Sequence, residues 1–175
     1  MIELSPETAP AYSDLAHIVF KRGDHTEAER LLAASLSIEP CTASPRATLA
    51  YLAARRNDHG RHLQVLKEGI DQCPREDGIL NNYAYALATN TDEKHRDGVE
   101  ALRIAEQITQ GEQGRRHDFL DTLACAHAEV GDFASAVRVG EQALALLEAA
   151  EDPKLIEESK AHLGQFRARR PVREP

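Results

Sequence analysis

The sequence contains no tryptophan, one methionine and few aromatic residues, which make up 5% of its 175 positions. A hydrophobic core must therefore be built from small and aliphatic side chains. Apolar residues reach 42% of the sequence, and many of them are alanine and leucine, which favour helix. No apolar run approaches the ~18–20 residues that span a bilayer, and the opening MIELSPETAP lacks the basic and apolar regions of a signal peptide. This composition predicts a globular helical protein within the size range of one domain, with no membrane segment.

Positive charge is also scarce. The formal net charge is −8 at pH 7, and neutralising phosphates requires a basic surface, so the sequence predicts no nucleic-acid partner. The exception is the end of the chain, where FRARRPVREP contains Arg167, Arg169, Arg170 and Arg173. We expect a solvated terminal tail there, and a docking tail is the alternative.

Cysteine is rare and unpatterned. The three cysteines, Cys41, Cys73 and Cys125, are an odd number and form no CxxC motif. We therefore expect reduced thiols, which favours a cytoplasmic location.

Residue patterns typical of catalysis and of metal or nucleotide binding are missing. Among the eight histidines, His59 and His62 form a lone pair beside a turn, and the sequence has no HExxH motif. Gly111 and Gly114 lie in a polar linker without a preceding strand, so they do not form a phosphate-binding loop. We expect no catalytic residue, no metal site and no cofactor, and therefore no enzyme.

A period of 34 residues organises what is present. Three sets of markers keep this spacing: Pro6, Pro40 and Pro74; Ala16, Ala50 and Ala84; and the turns at Gly23-Asp24 and Asn57-Asp58. Between the markers, apolar and small residues recur at three- and four-residue steps, as in DTLACAHAEVGDFASAVRVGEQALAL over 121–146, which predicts helical hairpins. We expect helices near 10–22, 25–38, 44–56 and 59–72, further helices opening near 77, 97 and 117, and a final helix over 154–167.

These features resemble the tetratricopeptide repeat (TPR) family over about residues 9–150. The resemblance depends on the period, the closing prolines and small residues at equivalent helix positions, namely Ala16, Ala28, Ser35, Ala50, Ala84, Ala101, Ala124, Ala136 and Ala143. The family's large aromatic residue near the start of the first helix is present only as Tyr12. Arg46, Leu80 and Leu120 stand at the equivalent places. The segments LNNYAYALAT and DTLACAHAEVGDFASAV look like terminal repeats of larger bacterial proteins.

The resemblance implies four repeats and three flanking segments. The repeats are expected at 9–42, 43–76, 77–116 and 117–150; the second is degenerate, and the third has an insertion near 90–96. Residues 151–168 would form a capping helix and 169–175 a tail. Residues 1–8 resemble the end of a preceding repeat, and we therefore expect the chain to be the C-terminal piece of a longer protein.

The resemblance also implies an all-α, right-handed solenoid whose concave groove is lined by the first helix of each repeat. The candidate partner-binding residues on these helices are His17, Lys21, Tyr51, Arg55, Asn81, Asn82, Tyr85, Thr89, Asp121, Cys125 and Glu129. Tyrosine faces, arginine forks and asparagine amides suit the backbone and side chains of a peptide. A clamp for a chaperone C-terminal carboxylate is not expected, because Ser13, His17, Gly78 and Asn82 stand where that clamp has its lysine, asparagine and arginine residues.

The sequence thus predicts a non-catalytic protein–protein interaction module that binds a peptide or helix of a partner protein. Homo-oligomerisation or a structural scaffold is the alternative, because an apolar edge at Ile2, Leu4, Tyr12 and Leu15 could pair with a second copy. The sequence does not choose between an extended and a helical ligand.

Overall fold

The computed structural model describes residues 8–111, 114–150 and 152–174, and over these ranges the chain is all-α. Its helices are α1 Ala9–Lys21, α2 His25–Ile38, α3 Ala43–Arg55, α4 His59–Gln72, α5 Asp77–Thr89, α6 Gly98–Thr109, α7 His117–Glu129, α8 Phe133–Ala150 and α9 Pro153–Arg167, with a 3-10 turn at Glu93–His95. The expected helices are confirmed to within one or two residues at each end. None of the helices in these ranges combines the length and apolar character needed to cross a membrane.

The chain divides into two compact units, one ending at Ile79 and the other beginning at Leu80. In the N-terminal unit α1 packs on α2, α2 on α3, and α3 on α4. The buried core residues of the first hairpins are Ala16, Ala28, Leu31, Leu32 and Leu52. Tyr12 and Leu15 pack against this core and do not form an open apolar edge, while Ile2 and Leu4 lie outside the described residues. Of the expected remnant at 1–8, Thr8 alone is described, as the residue before α1.

The hairpin turns explain the Gly-Asp and Asn-Asp markers. Gly23, Asn57 and Gly131 each adopt a positive φ, of 86°, 58° and 86°, which is the left-handed conformation that glycine and asparagine tolerate best. The aspartate after each of these residues caps the next helix: Asp24 accepts from the backbone of Glu27, Asp58 from Arg61, and Asp132 from Ser135. One residue therefore reverses the chain and the next one starts the second helix.

The C-terminal unit stacks α6 on α7, α7 on α8, and α8 on α9. Alanines at the helix contacts are completely buried, including Ala101, Ala124, Ala136 and Ala143. The expected insertion between α5 and α6 contains the 3-10 turn, and Arg96 anchors it by donating to the carbonyl oxygen of Asn90 at 2.8 Å. Asp97 then caps α6 by accepting from the backbone of Glu100.

Two of the three cysteines are paired, so the expectation of reduced thiols was wrong for them. Cys41 and Cys73 form a disulfide with a Cα–Cα distance of 5.6 Å, and Cys125 is free and buried. Their separation of 32 residues is close to the repeat period, and both lie next to closing prolines, Pro40 and Pro74. The ends of α2 and α4 thereby come together. The argument from thiols for a reducing compartment is lost with this pairing.

Arg46 fills a buried place in the N-terminal unit where the repeat pattern has an aromatic side chain. Only 4% of the residue is exposed, and its guanidinium donates to the carbonyl oxygens of Pro40 and Val65 and to Gln72. Burial lowers the pKa of this guanidinium from its usual value. The alkyl part of the side chain supplies apolar packing and the charged end satisfies backbone acceptors.

Candidate functional site

In the N-terminal unit the expected partner-binding residues lie on open surface. His17, Lys21, Tyr51 and Arg55 are exposed. The Tyr51 ring meets the Phe20 ring edge-on at 6.3 Å, which links α3 to α1. These side chains are available to a partner, and they have no described ion pair among themselves.

In the C-terminal unit several of the expected groove residues are not open. Asn81 is 7% exposed, and Thr89 and Cys125 are each 1% exposed. Thr89 also uses its hydroxyl within its own helix, donating to the carbonyl oxygen of Tyr85 at 2.9 Å. These three residues are therefore not open in the free chain, and their contact with a partner stays a prediction. Asn82 remains half-buried.

At Thr89 part of this burial comes from the C-terminal tail, whose last described residues lie against α5 and α7 while Arg169 and Arg170 stay exposed. Val172 is 4% exposed, and the backbone N–H of Glu174 donates to the carbonyl oxygen of Thr89 at 2.9 Å. The Tyr85 hydroxyl donates to the Glu174 carboxylate at 2.6 Å. Residues 172–174 thus lie on the face where we expect a partner, so this part of the tail is not the freely solvated segment that we expect from the sequence.

A buried histidine lies between two carboxylates at the centre of this face. His162, on α9, donates from Nδ1 to Asp121 at 3.0 Å and from Nε2 to Glu174 at 3.2 Å. Burial acts to lower the pKa of His162, but hydrogen bonds to Asp121, Cys125 and Glu174 outweigh burial and raise it to about 12. The same bond to His162 lowers the pKa of Glu174. The ring is therefore a cation that joins α7, α9 and the tail.

Cys125 lies one helical turn after Asp121 on α7 and faces the same histidine. Burial raises the pKa of its thiol to about 12, so the sulfur is protonated in this environment. A ligand atom from each of Asp121, Cys125 and His162 lies within 4.8 Å of the others. Asp, Cys and His together are a donor set that can hold a metal ion.

A second ionic cluster lies at the far end of α7. Glu129 accepts from Arg96 of the insertion at 3.0 Å and pairs with Arg173 of the tail at 2.7 Å. The Glu129 side chain is only 14% exposed, so both arginine contacts are shielded from water. One carboxylate on α7 therefore fixes both the insertion and the tail.

A cavity of about 330 Å³ opens beside His162 in the C-terminal unit. It is lined by Asn81, Tyr85, His117, Asp118, Asp121, Thr122, Leu147, Leu155, Glu158, Ser159, His162 and Glu174. Asn81 Oδ1 and Ser159 Oγ are buried and have no hydrogen-bond partner. Two unsatisfied polar atoms at one cavity are costly unless a ligand or water completes them.

The sequence predicts Tyr85, Asp121 and Cys125 as partner contacts on the first helices, but it names neither His162 nor Glu174. His162 is 41 residues from Asp121 and belongs to the capping helix, and Glu174 belongs to the tail; both segments follow the last repeat. No spacing in the sequence ties either residue to the first helices. Only the packing of α9 and the return of the tail bring them together.

Comparison with known proteins gives a consistent identification of the fold. A tetratricopeptide repeat family profile matches residues 8–38. No curated protein sequence is significantly similar to the chain.

Solved bacterial structures resemble it over most of its length. MamA from Desulfovibrio magneticus RS-1, from residue 41 to its end, has a TM-score of 0.57 at 16% identity and covers 91% of this chain and 95% of that one. PilF of Pseudomonas aeruginosa has a TM-score of 0.59 at 12% identity, and the match covers 95% of this chain and 79% of PilF. A tetratricopeptide repeat protein from Parabacteroides merdae ATCC 43184 has a TM-score of 0.56 at 16% identity, and the match covers 91% of this chain and 60% of that protein. The profile match at residues 8–38 and the solved structures together show that the chain has the all-α fold of tetratricopeptide repeat proteins.

Proposed function

We propose that this chain is a non-catalytic protein-interaction module that binds an extended segment of a partner protein across α5 and α7 of its C-terminal unit. The observation that supports this function is the docked tail. The chain's own residues 172–174, which are not helical, lie on that face and are held there by main-chain and side-chain bonds.

The contacts of the tail indicate what kind of segment the face accepts. A buried apolar residue is followed by an arginine paired with Glu129, and then by a glutamate that receives hydrogen bonds from Tyr85 and His162. An extended segment with apolar, basic and acidic residues in this order would reproduce these contacts. Main-chain bonding to Thr89 adds affinity without sequence preference.

The test uses the tail as the ligand. A chain ending at Ala168, shown by circular dichroism to be folded, should bind a fluorescent peptide of sequence RRPVREP, and the full-length chain should bind it more weakly. Peptides in which arginine or glutamate of the VRE segment becomes alanine should bind less well, since each loses an ionic contact. A scrambled peptide is the matched control. A folded, shortened chain that binds the scrambled and native peptides equally would overturn the proposal.

Homo-oligomerisation is the second candidate, and the same tail supports it. A tail that fits its own face also fits the identical face of another copy, and exchange of a terminal segment is a low-cost route to a dimer. Light scattering over a range of concentrations separates the two. A mass that doubles with concentration in the full-length chain, but not in the chain ending at Ala168, identifies tail exchange.

The exposed N-terminal residues His17, Lys21, Tyr51 and Arg55 are proposed as a second contact surface. Replacing Tyr51 and Arg55 by alanine removes two exposed side chains of that unit, and inside the unit it costs the edge contact of Tyr51 with Phe20. If a partner uses this surface, the double variant loses affinity while its melting temperature stays close to that of the parent.

A further inference from the structure

We propose that Asp121, Cys125 and His162 form a binding site for a divalent transition-metal ion, with Zn²⁺ the ion best matched to the three ligands. All three ligands belong to α7 and α9, and the tail contributes one supporting group, the Glu174 carboxylate beside His162.

The positions of the donor atoms favour a single ion. Asp121 and Cys125 lie four residues apart on α7 and therefore share one face of that helix, while His162 reaches the same point from α9. The three donor atoms lie within 4.8 Å of one another, and Nδ1 of His162 is 3.0 Å from Asp121 Oδ1. Ligand bonds to Zn²⁺ are about 2.0–2.3 Å, which places tetrahedral donors about 3.2–3.8 Å apart. Small side-chain rotations bring the cluster to that geometry.

The chemistry of the donors selects the ion. A thiolate and an imidazole favour Zn²⁺ or a similar transition metal over Mg²⁺ and Ca²⁺, which prefer oxygen ligands. Three protein ligands leave a fourth position free in a tetrahedral site. Two of the three ligands, Asp121 and His162, also line the cavity of about 330 Å³, so we infer that the fourth position opens toward it.

The cavity supplies an independent reason to expect a ligand. Asn81 Oδ1 and Ser159 Oγ line it without hydrogen-bond partners, and their residues are 7% and 5% exposed. A water molecule or anion in the fourth metal position lies within the same cavity. Such a ligand can donate to the amide oxygen or accept from the hydroxyl, and so satisfy polar atoms that are otherwise unpaired.

Groups around the cluster already orient the histidine. With Nδ1 on the metal, Nε2–H continues to donate to Glu174, which in turn accepts from the Tyr85 hydroxyl. A carboxylate on the second nitrogen of a metal-bound histidine fixes the ring and strengthens the ligand.

Exchanging protons for a metal ion at this cluster leaves its total charge unchanged. As the cluster stands, the imidazole ring donates from both nitrogens and the sulfur carries a proton. Binding of M²⁺ releases one proton from Nδ1 and one from Sγ to solvent, so the total charge of the three side chains plus the ion is unchanged.

The test is a titration of the full-length, oxidised chain with Co²⁺ and then Zn²⁺. Cys41 and Cys73 are paired, so Cys125 is the one cysteine able to give a thiolate–Co²⁺ charge-transfer band. We expect that band in the near ultraviolet with visible bands typical of tetrahedral Co²⁺, and their loss when Zn²⁺ displaces Co²⁺. By calorimetry, Zn²⁺ affinity should fall roughly 100-fold or more in Cys125→Ser and in His162→Gln. It should fall roughly 10- to 100-fold in Glu174→Gln, which removes a supporting group only.

Matched controls come from the same cavity. Asp118→Asn and Glu158→Gln change carboxylates that line the cavity but lie outside the donor cluster, and both variants should keep the band and the Zn²⁺ affinity. Each variant is first checked for native helix content, and two separate ligand variants guard against one that fails to fold. The absence of the band from the folded parent chain, or its persistence in folded Cys125→Ser, would overturn the metal site. Either result leaves the peptide experiment unaffected.

Discussion

Gly69 allows the buried Arg46 to lie where the repeat pattern has an aromatic ring. A Cβ on Gly69 would come within 2.3 Å of Cδ and 2.6 Å of Nε of Arg46, and within 2.9 Å of Ile79. Because the guanidinium is fixed by three acceptors, the side chain cannot swing aside without losing hydrogen bonds. We expect Gly69→Ala to lower the free energy of unfolding by about 1–3 kcal/mol, as other overpacked cores do. Urea denaturation followed by circular dichroism measures the change.

Gly164 is the matched control for this substitution. It is also within a helix, α9, but a Cβ there meets nothing within 4 Å. Gly164→Ala should therefore raise stability by about 0.5–1 kcal/mol through helix propensity. If the two substitutions changed the free energy of unfolding equally, the Arg46 side chain would be able to move aside at no cost.

Ala124 and Arg46 differ in how well the sequence predicts their surroundings. Ala124 was correctly expected at a close helix contact, because small residues at helical spacing indicate packing directly. The sequence places Arg46 at a position where the family has an aromatic residue, but it does not predict the three hydrogen-bond acceptors of the guanidinium. Those acceptors come from different parts of the chain, and only the fold assembles them.

Among the elements, the disulfide joins the ends of α2 and α4. Replacing both Cys41 and Cys73 by alanine should lower stability by about 3–4 kcal/mol, since the bond closes a loop spanning 32 residues in the unfolded chain. Urea denaturation of the double variant under oxidising conditions gives the value.

Reduction of the parent chain is the control for this prediction. Unfolding measured in reductant should give a loss of similar size in the parent and no further loss in the double variant. A parent chain insensitive to reductant would indicate that the two cysteines are not bonded in solution.

Glu129 connects α7 with two other segments, the insertion and the tail. Glu129→Gln replaces a shielded carboxylate that faces Arg96 and Arg173. We expect the free energy of unfolding to fall by about 1.5–3 kcal/mol, because the charged hydrogen bond from Arg96 and the ion pair with Arg173 are weakened. Glu141→Gln is the control, since its partner Arg167 is largely exposed and the pair should contribute less than about 1 kcal/mol. Thermal or urea unfolding compares the two. A larger loss in Glu141→Gln would contradict this assignment.

Helices and turns could be predicted because their signals are local. The apolar spacing, the closing prolines and the Gly-Asp turns each act within a few residues. The disulfide and the Glu129 contacts depend on residues that are distant in sequence. An odd cysteine count argued against the former, although the spacing of Cys41 and Cys73 was close to the repeat period.

For the molecule as a whole, the tail is part of the folded C-terminal unit. Deleting residues 169–175 should lower its melting temperature, because buried Val172 and the contacts of Arg173 and Glu174 are lost. Adding the RRPVREP peptide should restore the melting temperature in proportion to the logarithm of its concentration above the dissociation constant. Hydrogen exchange should locate the loss at Thr89 and along α7. An unchanged melting temperature after deletion would show that the tail contributes nothing to the fold.

The overall class of fold could be predicted from the repeat period, the closing prolines and the small residues, whereas two of the five residues around the buried histidine could not. The repeat pattern predicts that Tyr85, Asp121 and Cys125 lie on first helices, but it predicts nothing about segments outside the repeats. His162 and Glu174 come from such segments, where polar residues are usually solvent-exposed. The tail was expected in solvent for the same reason.

Because the tail and the face that it occupies belong to one chain, the tail competes with any other ligand for that face. A tethered segment acts at an effective concentration on the order of millimolar, so any rival in solution meets a face that is seldom vacant. For a tail bound roughly 99% of the time, a rival of the same intrinsic strength binds about 100-fold more weakly than it does to the bare face. If partners bind this face as proposed, they need additional contacts to displace the tail, and a substitution in the tail changes the affinity of all of them together.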